Sequence, residues 1–159
     1  MTLKIRRATV SDAEIIVEFN RRLAWESEQK RLDADVLTRG IRAVFTDPQK
    51  GFYTLAERDG EVVGQTLITY EWSDWRNGWY WWIQSVYVRE DARRQGVFRA
   101  IFEQIRSEAI ADATVIGLRL YVEHGNTRGQ ATYRDVGLEP EGYELFGQYP
   151  LPGRSNAIG

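Results

Sequence analysis

Apolar and polar positions alternate along "LKIRRAT", which predicts a first strand over about residues 3–8. Ser11 and Glu14 in "SDAE" read as a capping box. Ile15, Ile16, Phe19 and Leu23 then form a helical stripe from about 12 to 28. Asp33 caps a second helix, "DADVLTRGIRAVFT", which "TDPQKG" ends through its proline and glycine. The runs "GFYTLAE", "EVVGQTLITYEWS" and "GWYWWIQSVYV" are strands, and the turn signals "RDG" and "DWRNG" make them an antiparallel meander. "RRQGVFRAIFEQIRSEAIAD" returns to helical period, with Val97, Ala100, Ile101, Ile105 and Ala109 on one face. "ATVIGLRLYVE" predicts a strand, "NTRGQATYRDVG" a helix and "GYELFGQYP" a last strand. The predicted order is β-α-α-β-β-β-α-β-α-β. This is a mixed α/β fold: a mostly antiparallel central sheet with helices on both faces.

At 159 residues, the chain fits one domain, read here as 1–149 with a loose tail at 150–159. The net charge is −2 with both signs interspersed, so no basic stripe exists to neutralise nucleic-acid phosphates. Cysteine is absent, which removes thiolate nucleophiles and disulfides and suits a reducing cytoplasm. His124 is the single histidine, which excludes a serine–histidine triad or a multi-histidine metal site and leaves no metal expected. No segment reads as a signal peptide or membrane span.

The chemistry concentrates at two places. In "SVYVREDARRQGVF" a hydrophobic strand meets a basic loop and a helix start. A helix start leaves N–H groups unpaired, Gly96 permits close approach, and Arg93, Arg94 and Arg99 add charge, all suited to a pyrophosphate. In "HGNTRGQATYRDVGL", Asn126 and Tyr133 lie two helical turns apart on one face. Read alone, Asn126 is a helix cap and Tyr133 a half-buried core residue.

Together the two stretches resemble the acetyl-CoA-binding core of the GNAT N-acetyltransferase superfamily. Its phosphate loop, Arg/Gln-x-x-Gly-x-Gly/Ala, matches Arg93, Arg94, Gln95, Gly96, Val97 and Phe98. Its later signature, Asn-x-x-Ala-x-x-x-Tyr-x-x-x-Gly-Phe, falls on Asn126, Gly129, Tyr133, Gly137 and Leu138. Phe98 replaces a small residue, so its ring should turn into the core. The resemblance implies acetyl-CoA as acyl donor, held by the backbone of Val86, Tyr87 and Val88 and by Arg93 to Arg99 and Asn126. It implies Tyr133 as general acid and attack by a primary amine in a ternary complex. The family's fourth-strand glutamate base cannot be carried over, because Trp82 stands there. Glu71, Asp74, Glu123 and Glu26 are the remaining candidates for the base. His124 reads as an exposed turn residue.

Five of the six tryptophans crowd residues 71–88. Strict alternation puts Trp79, Trp81, Ile83, Ser85 and Tyr87 on one face, and Tyr80, Trp82, Gln84, Val86 and Val88 on the other. Trp72 and Trp75, beside Asp74 and joined by Trp82 and Gln84, would suit a cationic acceptor, either a small amine or a peptide amine. A homodimer is compatible with such exposed aromatics. Two rival readings are a non-catalytic acyl-CoA-binding or regulatory domain and an aromatic-rich ligand-binding module without CoA.

Overall fold

The computed structural model describes residues 2–154, so positions 155–159 of the expected tail lie outside the described residues. A five-stranded sheet runs in the order β1 (Leu3–Arg7), β2 (Phe52–Arg58), β3 (Glu61–Ser73), β4 (Gly78–Val88), β5 (Val115–Arg119). The first four strands pair antiparallel, and β5 joins β4 in parallel. Helices α1 (Ala13–Glu28) and α2 (Ala34–Thr46) cover one face. On the other lies α3 (Val97–Ala111), with α4 (Thr127–Asp135) beside it. The mixed α/β arrangement with both faces covered is the one the hydrophobic pattern predicts.

Two clusters hold the layers together. Ile16, Ile41, Tyr53 and Leu55 fill the α1/α2 side, while Ile68, Trp81, Ile83, Ile101 and Ile105 fill the α3 side. At Gly64 a Cβ would come within 2.8 Å of Val97 Cγ1, so the missing side chain lets the first turn of α3 rest directly on β3. That contact fixes where α3 begins relative to the sheet.

Several local expectations change. The capping box before α1 is Thr9 with Asp12, two residues earlier than Ser11 with Glu14. Thr9 lies in extended backbone, where its N–H can reach the Asp12 carboxylate at 2.8 Å. Asp33 does cap α2, accepting from the N–H groups of Asp35 and Val36. The predicted fifth strand is shorter: β5 stops at Arg119, so Glu123 sits in an exposed loop and not on a strand. The predicted last strand does not form, and residues 142–150 belong to no helix or strand. A strand pattern needs a partner edge, and among the described residues no strand is paired with that segment.

Candidate functional site

Strand β4 carries the site because its two halves have different neighbours. Trp79 to Trp82 pair with β5, but from Ile83 to Val88 no fifth strand lies alongside. Apart from the Val88 carbonyl, which accepts from the Arg93 side chain, main-chain groups on that side of β4 have no strand partner and are available to an extended ligand that pairs as a strand would. The same half carries an irregularity on its β3 side. The register steps from Gln65↔Tyr87 to Leu67↔Gln84, so Ser85 and Val86 together oppose Thr66. Ser85 adopts φ +52°, the left-handed region, and its carbonyl accepts a hydrogen bond at 3.1 Å from the side chain of Gln65, which is fully buried. Gln65 Oε1 has no partner among the described residues.

This bulge overturns the simple alternation of faces. One extra residue reverses the phase of the strand beyond it. Trp81 and Ile83 face α3 before the bulge, and Val86 and Val88 face α3 after it. Tyr87 turns instead to α1, its ring centroid 5.0 Å from that of Phe19. The polar Gln65 within "VVGQTL", an otherwise apolar strand, was the one sequence signal of this feature.

The chain leaves β4 through a loop pinned by its own side chains. Asp91 accepts from Arg58 at 3.0 Å and from Arg89 at 2.6 Å. Gln95 accepts from Arg58 and donates to the Asp91 carbonyl. Arg93 donates to the Val88 carbonyl and to Glu26, both at 2.8 Å, so its charge is matched within the protein. Its work is to fasten the loop to α1. Arg99 donates to the Asp135 carbonyl, joining the start of α3 to the end of α4, and Arg94 has no partner among the described residues. The positive charge free to meet a ligand is therefore that of Arg94 and Arg99.

Backbone geometry adds a feature suited to an anion. Arg94 and Gly96 both have positive φ, +63° and +78°. Such alternation turns successive N–H groups toward one concave point at the start of α3. A Cβ on Gly96 would meet nothing within 4 Å. The residue thus answers to conformation and open approach, not to packing. Phe98 in the same turn is buried against Phe102 and Tyr133, as its replacement of a small residue required.

Tyr133 packs edge-on against Phe98, with centroids 5.5 Å apart, in the cluster that also holds Val86 and Val88. Its hydroxyl makes no hydrogen bond to the described residues, and burial pushes its pKa up, so it stays a protonated phenol at neutral pH. Asn126 caps α4, its Oδ1 accepting from Gly129 N at 2.8 Å. His124 is exposed in the turn before α4, and its carbonyl accepts from Gln130.

The acceptor candidates divide between the two faces of the sheet. Trp82 and Gln84 lie on the α1/α2 face: the Trp82 indole N–H donates to Glu71 Oε1 at 3.0 Å, and Gln84 donates to Thr69. Tyr121 flanks Trp82, with ring centroids 6.1 Å apart. Trp72 instead packs against Trp79 and lies with Tyr70 on the α3 face, while Trp75 and Asp74 sit at the exposed hairpin tip. The five residues therefore do not form one pocket.

Glu71 is engaged as well. Arg119 donates to the same Oε1 at 2.9 Å, holds Glu141 at 2.8 Å and stacks 3.6 Å over the ring of Tyr80. Any proton taken by Glu71 must pass through its other oxygen. The partner that ties it down, Arg119, had no motif to reveal it.

Glu26 lies in the last turn of α1. Burial pushes its carboxyl up, but hydrogen bonds from Arg93 and Tyr87 outweigh this and hold it below the usual carboxylate range. Burial and the Glu26 hydrogen bond raise the Tyr87 phenol. An open depression of about 660 Å³ lies above this pair, edged by Arg22, Trp25, Arg89, Glu90 and Asp91.

Comparison with known proteins adds an independent line. The sequence model of the Acetyltransferase (GNAT) family matches residues 14–138. A possible acetyltransferase from Clostridium difficile 630 is 42% identical, with a TM-score of 0.86, covering 93% of this chain and 97% of that one. A predicted acetyltransferase from Clostridium acetobutylicum, solved with acetyl-CoA, shares the fold at 18% identity and TM-score 0.76, covering 92% of this chain and 96% of that one. AAC(6')-Iy, solved with a CoA-based bisubstrate analog, does so at 13% identity and TM-score 0.78, covering 93% and 98%. No curated protein matches.

Proposed function

The chain belongs to the acetyltransferase (GNAT) family, and we propose that it moves an acetyl group from acetyl-CoA to the nitrogen of a primary amine by direct attack in a ternary complex. The observation that carries this reading is the conjunction at the end of β4: a strand edge from Ile83 to Tyr87 that β5 does not cover, running into an open helix start at Gly96. An extended arm ending in a pyrophosphate is complementary to both parts.

Bound acetyl-CoA supplies the activated acetyl thioester. Main-chain groups of Val86 to Val88 would align its arm and polarise the carbonyl. The N–H groups at the start of α3, with Arg94 and Arg99, would hold the phosphates. Tyr133 keeps a proton in a half-buried hydroxyl, ready for the departing sulfur. The new C–N bond forms as the C–S bond breaks, and the excess amine proton leaves to water or to a carboxylate. A primary amine of pKa near 10 sits roughly 3 units above neutral pH, so freeing its lone pair costs about 4 kcal/mol. Trp82 and Tyr121 supply aromatic surface for an ammonium group, and the Glu71–Arg119–Glu141 cluster beside them carries one negative charge in excess. The cytoplasm is its proposed location, and no helix among the described residues is long and apolar enough to cross a membrane.

Isothermal titration with acetyl-CoA, using wild type and Arg94→Ala, tests the donor site. Micromolar binding weakened at least several-fold by the substitution supports it, and no binding by folded wild type overturns it. Thiol release with a panel of primary amines then tests catalysis. Trp82 in place of a β4 carboxylate, with Glu71 already ion-paired, favours a second reading as a non-catalytic acyl-CoA-binding domain. Binding without thiol release from any amine would select that reading.

A further inference from the structure

β4 and β5 part at one point. Trp82 and Arg119 are their last paired residues, and beyond them the uncovered half of β4 runs on to the helix start at Gly96. With the phosphates of a CoA thioester placed at Gly96, the acyl end of its arm reaches back along β4 to this fork. The side chains standing at the fork on the α1/α2 face are therefore those an acceptor meets. They form one ion-pair cluster. Arg119 donates to Glu141 at 2.8 and 3.3 Å and to Glu71 at 2.9 Å, and its guanidinium lies 3.6 Å over the ring of Tyr80. Gly117 makes room for this stack, since a Cβ there would come within 2.7 Å of the Tyr80 ring. The Arg119 side chain is only 18% exposed, against 46% for Glu71 and 48% for Glu141. The cation is the covered member of the cluster and the carboxylates are the open ones.

We infer that Arg119 is a specificity-determining residue, which sets the fork to accept a primary amine carrying one positive charge on a flat apolar body. The inference rests on the acetyl-transfer reading and names its acceptor class. A guanidinium stays charged at every working pH, so Arg119 permanently cancels one of the two carboxylates. What remains is one negative charge, which one ammonium group satisfies. A second ammonium on the same acceptor would find no unmatched carboxylate. It would shed its hydration to face Arg119 and the rings of Trp82 and Tyr121, whose centroids are 6.1 Å apart. Those rings suit the apolar body of the acceptor instead. Arg119 touches no reacting atom in this arrangement; it acts through the carboxylates that it holds.

The probes are 4-methylbenzylamine and 1,4-bis(aminomethyl)benzene, which share a ring and differ by one ammonium group. Thiol release from acetyl-CoA at neutral pH gives kcat and KM for each, with wild type, Arg119→Met, Arg119→Lys and Glu141→Gln. Wild type should favour the monoamine in kcat/KM, counted per reactive amine, by about fivefold or more, the worth of one unit charge at contact distance in water. Arg119→Met leaves both carboxylates unmatched, so the KM of the diamine should fall and the preference shift toward it by about fivefold or more. Arg119→Lys keeps the charge and should keep the preference. Glu141→Gln removes the excess charge and should raise the KM of the monoamine about fivefold, with acetyl-CoA affinity by calorimetry unchanged. The preference is a ratio within one protein, so a variant that merely loosens the fold lowers both rates and leaves the ratio alone. A wild type that prefers the diamine, a ratio that does not move in Arg119→Met, or an unchanged monoamine KM in Glu141→Gln overturns the role of Arg119 and leaves acetyl transfer standing. Thiol release from other primary amines but from neither probe overturns the acceptor class. Release from no amine, by wild type that binds acetyl-CoA, overturns the transfer reading and this inference with it.

Discussion

Replacing Gly96 with alanine separates two demands on one residue. Gly96 sits at φ +78°, ψ +17°, so alanine there adopts a left-handed conformation at a cost of about 1–2 kcal/mol. No clash adds to this, because beyond its chain neighbours no described residue lies within 4 Å of the new Cβ. For a domain of about 150–250 residues, 1 kcal/mol shifts Tm by about 2–4 °C, so the expected loss is about 2–8 °C. Ligand binding should suffer more than the fold. The new methyl group occupies the space through which a phosphate approaches the N–H groups, and losing one charge-assisted hydrogen bond costs about 1.5–3 kcal/mol. That corresponds to an acetyl-CoA Kd raised at least tenfold, by about 1.4 kcal/mol per decade. Thermal unfolding followed by circular dichroism gives the first quantity, and titration calorimetry well below the new Tm gives the second. A Kd within twofold of wild type, together with the predicted loss of Tm, would refute anion binding at Gly96: the open space there would then serve the turn alone.

Tyr133→Phe should leave Tm within about 1 °C, since its hydroxyl bonds to no described residue. It should retain acetyl-CoA affinity and lower kcat by about 100-fold or more, measured by thiol release. Gln65→Met removes both the hydrogen bond to Ser85 and the unpartnered oxygen, so stability should change by less than about 1 kcal/mol. Acetyl transfer should still slow as the bulge relaxes, and unaltered steady-state kinetics would separate Gln65 from the site. Burial pushes the Tyr53 phenol up to about 12 from its ordinary 10.0. The folded state thus holds this proton more tightly than the unfolded chain does. Its contribution is complete below pH 10 and lost as pH rises toward 12, about 2–3 kcal/mol across that window. Denaturant titrations at pH 9, 10 and 11, with tyrosinate absorbance as a second probe, should show this decline, and a flat profile would contradict it.

The order of the elements from β1 to α4, the α2 cap at Asp33 and the cap of α4 at Asn126 were legible in the sequence, because each depends on neighbours within a few residues. Periodicity identifies which side chains must be buried, Gly96 marks a backbone that needs positive φ, and Phe98 had to be core because its ring could not share the loop with a ligand. The strand assigned to 142–150 was read from the same kind of pattern. Alternation specifies a willingness to pair, however, and not the presence of an edge.

What escaped the sequence depends on distant residues meeting. The bulge at Ser85 arises from the match between β3 and β4 and from the amide of Gln65, 20 residues away. Its consequence, the reversal that sends Tyr87 to α1 and Val86 and Val88 to α3, is invisible to an alternation rule applied to one strand. That Trp72 packs against Trp79 and shares its face follows from the pairing of β3 with β4. Arg93 looked like a phosphate ligand until Glu26, 67 residues earlier, was seen to hold it, and Glu71 looked like a free base until Arg119 and Trp82 were found on its Oε1. Local sequence determined which segments form and which residue types stand at the join of β4 and α3. Only the tertiary structure decided which charges remain unpaired there, because neutralising a charge requires a partner brought close by the fold, and chain separation carries no information about that distance.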